Sequence, residues 1–440
     1  MNDSAPRPWA ALFREEDWWA NWLGAALLGA VLTGAVPAVA KVASWQWPSA
    51  LAALPPGNLP GIALLALGLG LLFGGGLWCV DRAAARRFPA AFAGLFALTL
   101  LAMVLGQEKT AKHYELGYPF WAVGLGLLIA NTVGTPAWMR PALRAEFYIK
   151  TGLVLLGAEV LFGNVMRFGA YGLAIAWGVT PVVIVFMWIF GTRILRIANK
   201  PLVIVIAAAT SVCGVSAAIA AAAASRAKKE DLAIAIGMSL LFTIGMMVGM
   251  PVLIRALGLP AVIGGAWMGG TIDSTGAVVA AGAALGEEAE AAAAIVKMIQ
   301  NLLIGVIAFA IALYWVGAVE RDPGAPRPGA AEIWRRLPKF VLGFIAASLL
   351  ASFVFTPLMG ADGVAATIGQ SKVFRDWLFA LAFLCVGLDA NFKAMAAHMS
   401  GGRPVQLYLV GQTFNIVLTL AVAWLVLSGV LFPLPPALTQ

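Results

Sequence analysis

A carboxylate, Asp273, and an ammonium, Lys297, stand inside long apolar stretches of this 440-residue chain. Asp273 belongs to GGTIDSTGAVVAAG, residues 269–282, among the hydroxyls of Thr271, Ser274 and Thr275 and the glycines Gly269, Gly270 and Gly276. A charged group at membrane depth costs roughly 2.5–3.5 kcal/mol on insertion scales, so function is its default reading. A buried carboxylate suits carrying a proton or binding a cation. The plainer alternative is a water-filled vestibule in which Asp273 only caps the following helix. Lys297 lies well inside the apolar segment 289–317, about 12 Å along a helix axis from its start. It would neutralise Asp273 or contact an anion, or else snorkel to the interface. Gln300 and Asn301 add polar groups on the same helix.

A second polar interruption is ATSVCGVSAA, residues 209–218, with Thr210, Ser211, Cys213, Gly214 and Ser216. Aligned on Gly214 and Gly276, both interruptions read as small and polar, then glycine, then small and helical. A helix that begins inside a membrane has amides without intrahelical partners, and its dipole adds partial positive charge there. Hydroxyls and glycines let an anion approach such an end. The candidate anion-binding set is Ser211, Cys213, Gly214, Ser216, Gly270, Thr271, Ser274, Thr275, Gly276 and Lys297. Close helix packing by small residues is the competing explanation. Asp273 is the leading ion-coupling candidate. Glu159 and Asp389 join it through an echo between LLGAEVLF, 155–162, and CVGLDANF, 385–392. Asn131, Thr132 and Thr135 either line a pathway or join helices by hydrogen bonds.

The elements that must position these groups follow from composition. Apolar residues make up 61% and charged residues 11%, and the mean hydropathy is +0.90. A soluble domain is about 45–50% apolar and about 25% charged. The class expected is an all-α polytopic membrane protein with about 11–13 transmembrane segments, since runs of about 20 apolar residues recur along the chain. The ~10-residue alternation of a β-barrel is missing. The net charge of +8 places Lys and Arg mostly between spans, where they orient the chain. No basic stripe with interleaved aromatics suggests nucleic acid. Cys79, Cys213 and Cys385 lie far apart, and His113 and His398 are the only histidines, so neither a disulfide framework nor a metal site is expected. No cofactor is implied. The motifs of serine hydrolases, zinc proteases and nucleotide-binding enzymes are missing, so an enzyme is not expected.

Segments 201–224 and 260–285 carry the two interruptions. If all segments cross, the basic loop SRAKKED, 225–231, falls on the wrong side for a cytoplasmic N-terminus. Making both interrupted segments re-entrant removes the conflict; two broken helices that cross fully remain the alternative. Backbone that leaves the helix at membrane depth must line a cavity or be buried in protein. Gly-interrupted apolar segments in paired positions point to a transporter site. The organisation expected is a three-span region at 1–117 and a transporter core at 118–440, with a Pro/Gly-rich loop at 318–337 and no soluble domain. Glu15, Glu16 and Asp17 before a long first span argue against a signal peptide. Trp18, Trp19 and Trp22 mark one membrane interface and Trp45 and Trp47 the other.

TSVCGVSAAIAAAAA (210–224), GGTIDSTGAVVAAG (269–282), IVKMIQNLLIG (295–305) and FLCVGLDANF (383–392) together resemble the YeiH-type sulfate exporter family of bacterial inner-membrane proteins. The likeness runs from about residue 118 to 430. This chain has Asp273-Ser274 where relatives often carry a His-Glu pair. The resemblance implies membership of the superfamily of cation/proton antiporters and anion transporters, with inverted repeats and discontinuous helices around a central site. It also implies export of sulfate or a related sulfur oxyanion. The function expected is secondary active transport of a small anion, coupled to H⁺ or Na⁺. A monovalent cation/proton antiporter is the alternative. The expected partners are the anion and the lipid bilayer, with homodimer formation left open.

Overall fold

The computed structural model describes residues 12–13, 15–33, 41–113, 117–159, 162–315, 319, 338–391 and 402–435. The expected 318–337 loop, residue 319 apart, lies outside the described residues, as do His398 and Phe392 of the 385–392 echo. The principal helices are α1 (Glu16–Leu32), α2 (Leu59–Val80), α3 (Arg82–Gly106), α4 (Tyr118–Thr132), α5 (Ala145–Glu159), α6 (Phe162–Ile189), α7 (Lys200–Ser211) and α8 (Gly214–Ala224). They continue as α9 (Lys229–Ala256), α10 (Ala261–Thr271), α11 (Thr275–Ala283), α12 (Glu287–Tyr314), α13 (Phe340–Leu350), α14 (Thr356–Asp389) and α15 (Arg403–Leu427). Among the described residues extended pairing is limited to one bridge, Trp45 with Glu108. The all-α class is therefore as the composition requires.

Seven stretches among the described residues are long and apolar enough to cross a membrane: 50–80, 82–106, 168–194, 230–256, 287–314, 340–360 and 403–427. Their apolar surface is not confined to one side. On α2, Leu65, Leu69 and Phe73 are buried while Leu64, Leu67 and Leu71 are exposed. A water-facing helix would carry a polar stripe opposite its apolar one; this one is greasy all round, as a helix facing hydrocarbon must be. The two interrupted segments behave as their composition suggests. Each is a pair of short helices: α7 and α8 have 12 and 11 residues, and α10 and α11 have 11 and 9. At 1.5 Å per residue the longest is about 18 Å, short of a hydrocarbon core of about 30 Å.

The chain forms two compact units. The first comprises residues 1–163, 339–391 and 439–440. Here α14 packs on α4 and α5, α13 on α5, and α3 on α2 and α4. The α2–α3 corner is a helix cap. The Asp81 side chain accepts from the Ala84 amide at 3.1 Å and pairs with Arg144 at 3.0 Å. Those two contacts, the amide first, hold its carboxyl below the usual carboxylate range. Asp17 in the first turn of α1 pairs with Lys150 of α5 at 2.8 Å and accepts from the Lys339 amide at 3.1 Å. The unit also buries a guanidinium. Arg375 of α14 is 3% exposed and pairs with Glu159 at 2.5 Å and Asp376 at 2.9 Å. Asn131 donates to the Ala390 carbonyl at 2.8 Å and Thr135 to that of Leu388, so these two join α4 and its following turn to the end of α14.

The second unit comprises residues 164–338 and 392–438. Here α12 packs against α8, α10 and α11, and α15 against α7 and α10. The start of α7 is set by Asn199, which accepts from the Leu202 amide at 3.2 Å and donates to Asp231 of α9 at 2.6 Å. Pro201 in the first turn suits a position whose amide has no intrahelical acceptor. The α10–α12 contact is close because α10 is rich in glycine: a Cβ on Gly269 would stand 2.6 Å from the Ala293 carbonyl oxygen.

Gly269→Val should destabilise the protein by at least about 1–3 kcal/mol, read as a lower melting temperature in detergent. Gly245→Ala, where an added Cβ meets open space, should be neutral or stabilising by up to about 1 kcal/mol. Arg375→Met leaves buried carboxylate without its cation and should cost about 3–5 kcal/mol. The double variant with Glu159→Gln should melt well above the additive expectation, and strict additivity would show that the pair does not interact.

Candidate substrate and ion site

The site is built where the two broken helices meet in the second unit. The α7–α8 break falls at Val212 and Cys213, whose backbones leave the helical region (φ −128°, ψ −87° for Val212). The α10–α11 break falls between Ile272 and Ser274, both extended. One backbone bond ties the breaks together. The Gly214 amide, first in α8, donates to the Asp273 carbonyl at 2.8 Å. Gly214 has to lack a side chain here: a Cβ would lie 3.3 Å from Ser239 Cβ and 3.5 Å from Asp273 Cβ, with the Ser239 hydroxyl closer still. Cys213 and Thr275, equivalent positions when the segments are aligned on Gly214 and Gly276, stand with Sγ 3.9 Å from Oγ1.

A helix end buried in apolar surroundings leaves carbonyls that need donors. Side chains from α12 and α15 supply them. Gln300 Nε2 reaches the Ser211 carbonyl at 2.9 Å and the Gly270 carbonyl at 3.1 Å, so one amide bridges the C-terminal ends of α7 and α10. It also lies 3.2 Å from Thr180 Oγ1. Asn415 Nδ2 donates to the Thr210 carbonyl at 3.3 Å, and Gln412 Nε2 to that of Thr271 at 3.0 Å. Lys297 Nζ donates to the Val212 carbonyl and, at 2.6 Å, to Gln300 Oε1. A cation at the C-terminal end of α7 is where the helix dipole favours it.

Asp273 is 1% exposed. Its Oδ2 accepts from Ser239 at 2.9 Å and from the Tyr408 hydroxyl, while Oδ1 has no hydrogen-bond partner. Thr271 is buried with an unpartnered hydroxyl. Asn301 Nδ2 donates to Thr275 Oγ1 at 3.1 Å. Ser211 is buried but turns its hydroxyl to its own helix, donating to the Ala207 carbonyl at 2.6 Å. Gly276 is buried in the first turn of α11, and Ser274, half-buried, precedes that helix without a side-chain cap bond. Ser216 is exposed on α8. Glu159 and Asp389 belong to the first unit, where Glu159 has Arg375 as its partner. Among the described residues no group of three or more His, Cys, Asp or Glu is placed to hold a metal ion.

Ser239, Tyr408, Gln412 and Asn415 were not singled out by sequence reasoning. A signal for the last three was present. Tyr408, Gln412, Asn415 and Thr419 recur at spacings of four, three and four within an apolar helix, one polar stripe on one face. Ser239 carries no such mark.

Comparison with known proteins places the chain in a family. Residues 91–407 match the family model described as Conserved hypothetical protein 698. A UPF0324 membrane protein of Nitratidesulfovibrio vulgaris is 50% identical over 378 residues, 84% of this chain and 65% of the relative. One of Rhodopirellula baltica is 53% identical over 348 residues, 79% of this chain and 64% of the relative. The chain thus spans 65% and 64% of the lengths of these two relatives. One of Nitrosomonas europaea is 28% identical with 98% of this chain and all of the relative covered. No solved structure matches the chain. With its family model, its relatives and the seven long apolar helices among the described residues in agreement, the chain belongs to the UPF0324 family of membrane proteins.

Proposed function

We propose that the chain is a secondary active transporter, an exporter of a small anion, working by alternating access in a bacterial inner membrane with its N-terminus in the cytoplasm. The observation that carries this reading is the meeting of two helix breaks beside a buried Asp273 and a buried Lys297. Irregular backbone at such depth is tolerated where it lines a cavity or is buried in protein, and paired broken helices accompany transporter sites. The C-terminal ends of α7 and α10 have side-chain donors. The N-terminal ends of α8 and α11 point partial positive charge toward the breaks. An anion would be held by amides there, with Gly270, Gly276, Cys213 and the hydroxyls of Thr271, Ser274 and Thr275 as the candidate lining and Lys297 as the charge; Ser211, whose hydroxyl donates to Ala207, and Ser216, exposed on α8, stand outside that lining. Sulfate or a related sulfur oxyanion is the leading substrate, from the resemblance to the YeiH-type family. Asp273 couples H⁺ or Na⁺, and Asp389 is a further ion-handling candidate, whereas Glu159 is engaged by Arg375. An inverted repeat, a homodimer and the absence of enzymatic activity complete the proposal.

The second reading is a monovalent cation/proton antiporter. It is favoured by Lys297, whose ammonium already serves Val212 and Gln300, and by the unpartnered oxygen of Asp273.

Radiolabelled sulfate uptake into proteoliposomes under imposed pH or Na⁺ gradients separates the two. Wild-type flux should saturate. Asp273→Asn should abolish its gradient dependence, and Lys297→Met should lower uptake at least ~10-fold, the factor equivalent to about 1.4 kcal/mol. Folded protein that moves no sulfate but shows cation-stimulated proton movement would reject the anion reading in favour of the antiporter.

A further inference from the structure

Besides Asn301 Oδ1, whose residue is bonded to Thr275, four oxygen atoms buried around the α10–α11 break have no hydrogen-bond partner: Asp273 Oδ1, Thr271 Oγ1, Thr243 Oγ1 and Gln412 Oε1. Their residues are 1%, 1%, 2% and 4% exposed. The contacts around them bring all four to one junction. Gln412 Nε2 is 3.0 Å from the Thr271 carbonyl and 2.9 Å from Met246 Sδ. Ser239 Oγ is 2.9 Å from Asp273 Oδ2. Thr243 lies between these contacts on α9, four residues after Ser239 and three before Met246. Those spacings put all three on one helix face, about 5–6 Å apart. Thr243 therefore stands on the face of α9 between the residue that contacts Asp273 and the residue that contacts Gln412.

The chemistry of the set is one-sided. A carboxylate oxygen, an amide oxygen and two hydroxyl oxygens all offer lone pairs, and only the hydroxyls can donate. Buried polar atoms are normally paired, and an exception asks for an explanation such as an ion. An anion would meet the carboxylate and the amide oxygen unfavourably. A hard cation takes such oxygen donors, and the C-terminal end of α10, at Thr271, carries the partial negative charge that attracts one. The set holds a single formal negative charge, which a monovalent ion balances and a divalent ion would exceed. The nearby ammonium of Lys297 is engaged at the Val212 carbonyl and Gln300.

We propose that Asp273, Thr271, Thr243 and Gln412 form a Na⁺ site at the α10–α11 break. The proposal deepens the reading of Asp273 as the ion-coupling group by naming the ion and its ligands, and it is testable without any transported substrate.

The full chain, purified in detergent with choline chloride as background salt, is assayed for binding of radiolabelled Na⁺. Saturable binding of one ion per chain is expected. Thr243→Val and Gln412→Leu should each weaken it at least tenfold, and Asp273→Asn should abolish it. Thr243→Ser, which keeps the hydroxyl, should restore most of the affinity. Thr99→Val, which removes a buried hydroxyl bonded to its own helix in the other unit, should bind as the wild type does. Size-exclusion profiles and melting curves identify variants that fail to fold; the Thr243 pair, differing by a hydroxyl, then decides the outcome. Absence of saturable Na⁺ binding by folded wild type overturns the site, as does unchanged affinity in both Thr243→Val and Gln412→Leu. Sulfate flux driven by pH alone, without Na⁺ binding, would reject this site and leave the anion reading standing. Na⁺ binding without sulfate flux would do the reverse.

Discussion

The second unit is organised by a requirement of the backbone: a helix that stops inside an apolar interior must find partners for the groups it leaves open. Two helices stop there, and the bond from the Gly214 amide to the Asp273 carbonyl makes their breaks one feature. Around it Gln300 bridges the ends of α7 and α10, while Asn415 and Gln412 on α15 each serve one further carbonyl. Without these donors each buried carbonyl would cost about 1–3 kcal/mol. Gln300, Gln412 and Asn415 are thus accounted for by the breaks, and the breaks are possible because of them.

The charges are handled differently in the two units. In the first, Arg375 lies within ion-pair distance of Glu159 and Asp376, an arrangement that neutralises charge by contact. In the second, Lys297 bonds to a carbonyl and an amide oxygen, and Asp273 takes hydroxyl donors on one oxygen only. A carboxylate held on one side and open on the other is suited to exchanging a ligand. A carboxylate closed by a guanidinium is suited to holding a fold together.

This division bears on how an anion and a cation could share one site. The carbonyl ends of α7 and α10 and the free oxygens near Asp273 create negative potential, while the amide ends of α8 and α11 create positive potential, all within the length of two short breaks. Opposite helix ends meeting at one place offer both kinds of ion a partner with few formal charges, which keeps the burial penalty low.

Much of the fold was legible from composition and local pattern. Apolar runs announced the helices, and the clusters Thr210–Ser216 and Gly270–Gly276 announced where two of them break, because glycine and small hydroxyl residues weaken a helix wherever they gather. Asp273 and Lys297 stood out because ionisable residues in apolar segments are rare. The partners did not. Ser239 and Thr243 are ordinary residues of α9, and Ser239 meets Asp273 only because α9 packs beside the break. Glu159 stood out only through the echo between 155–162 and 385–392, and its partner Arg375 reaches it because α14 packs on α5. Local sequence decides helix formation and helix breaking, because those depend on neighbours along the chain. Which buried atom receives a partner and which is left open is decided by residues tens to hundreds of positions away, so it is a property of the tertiary structure alone.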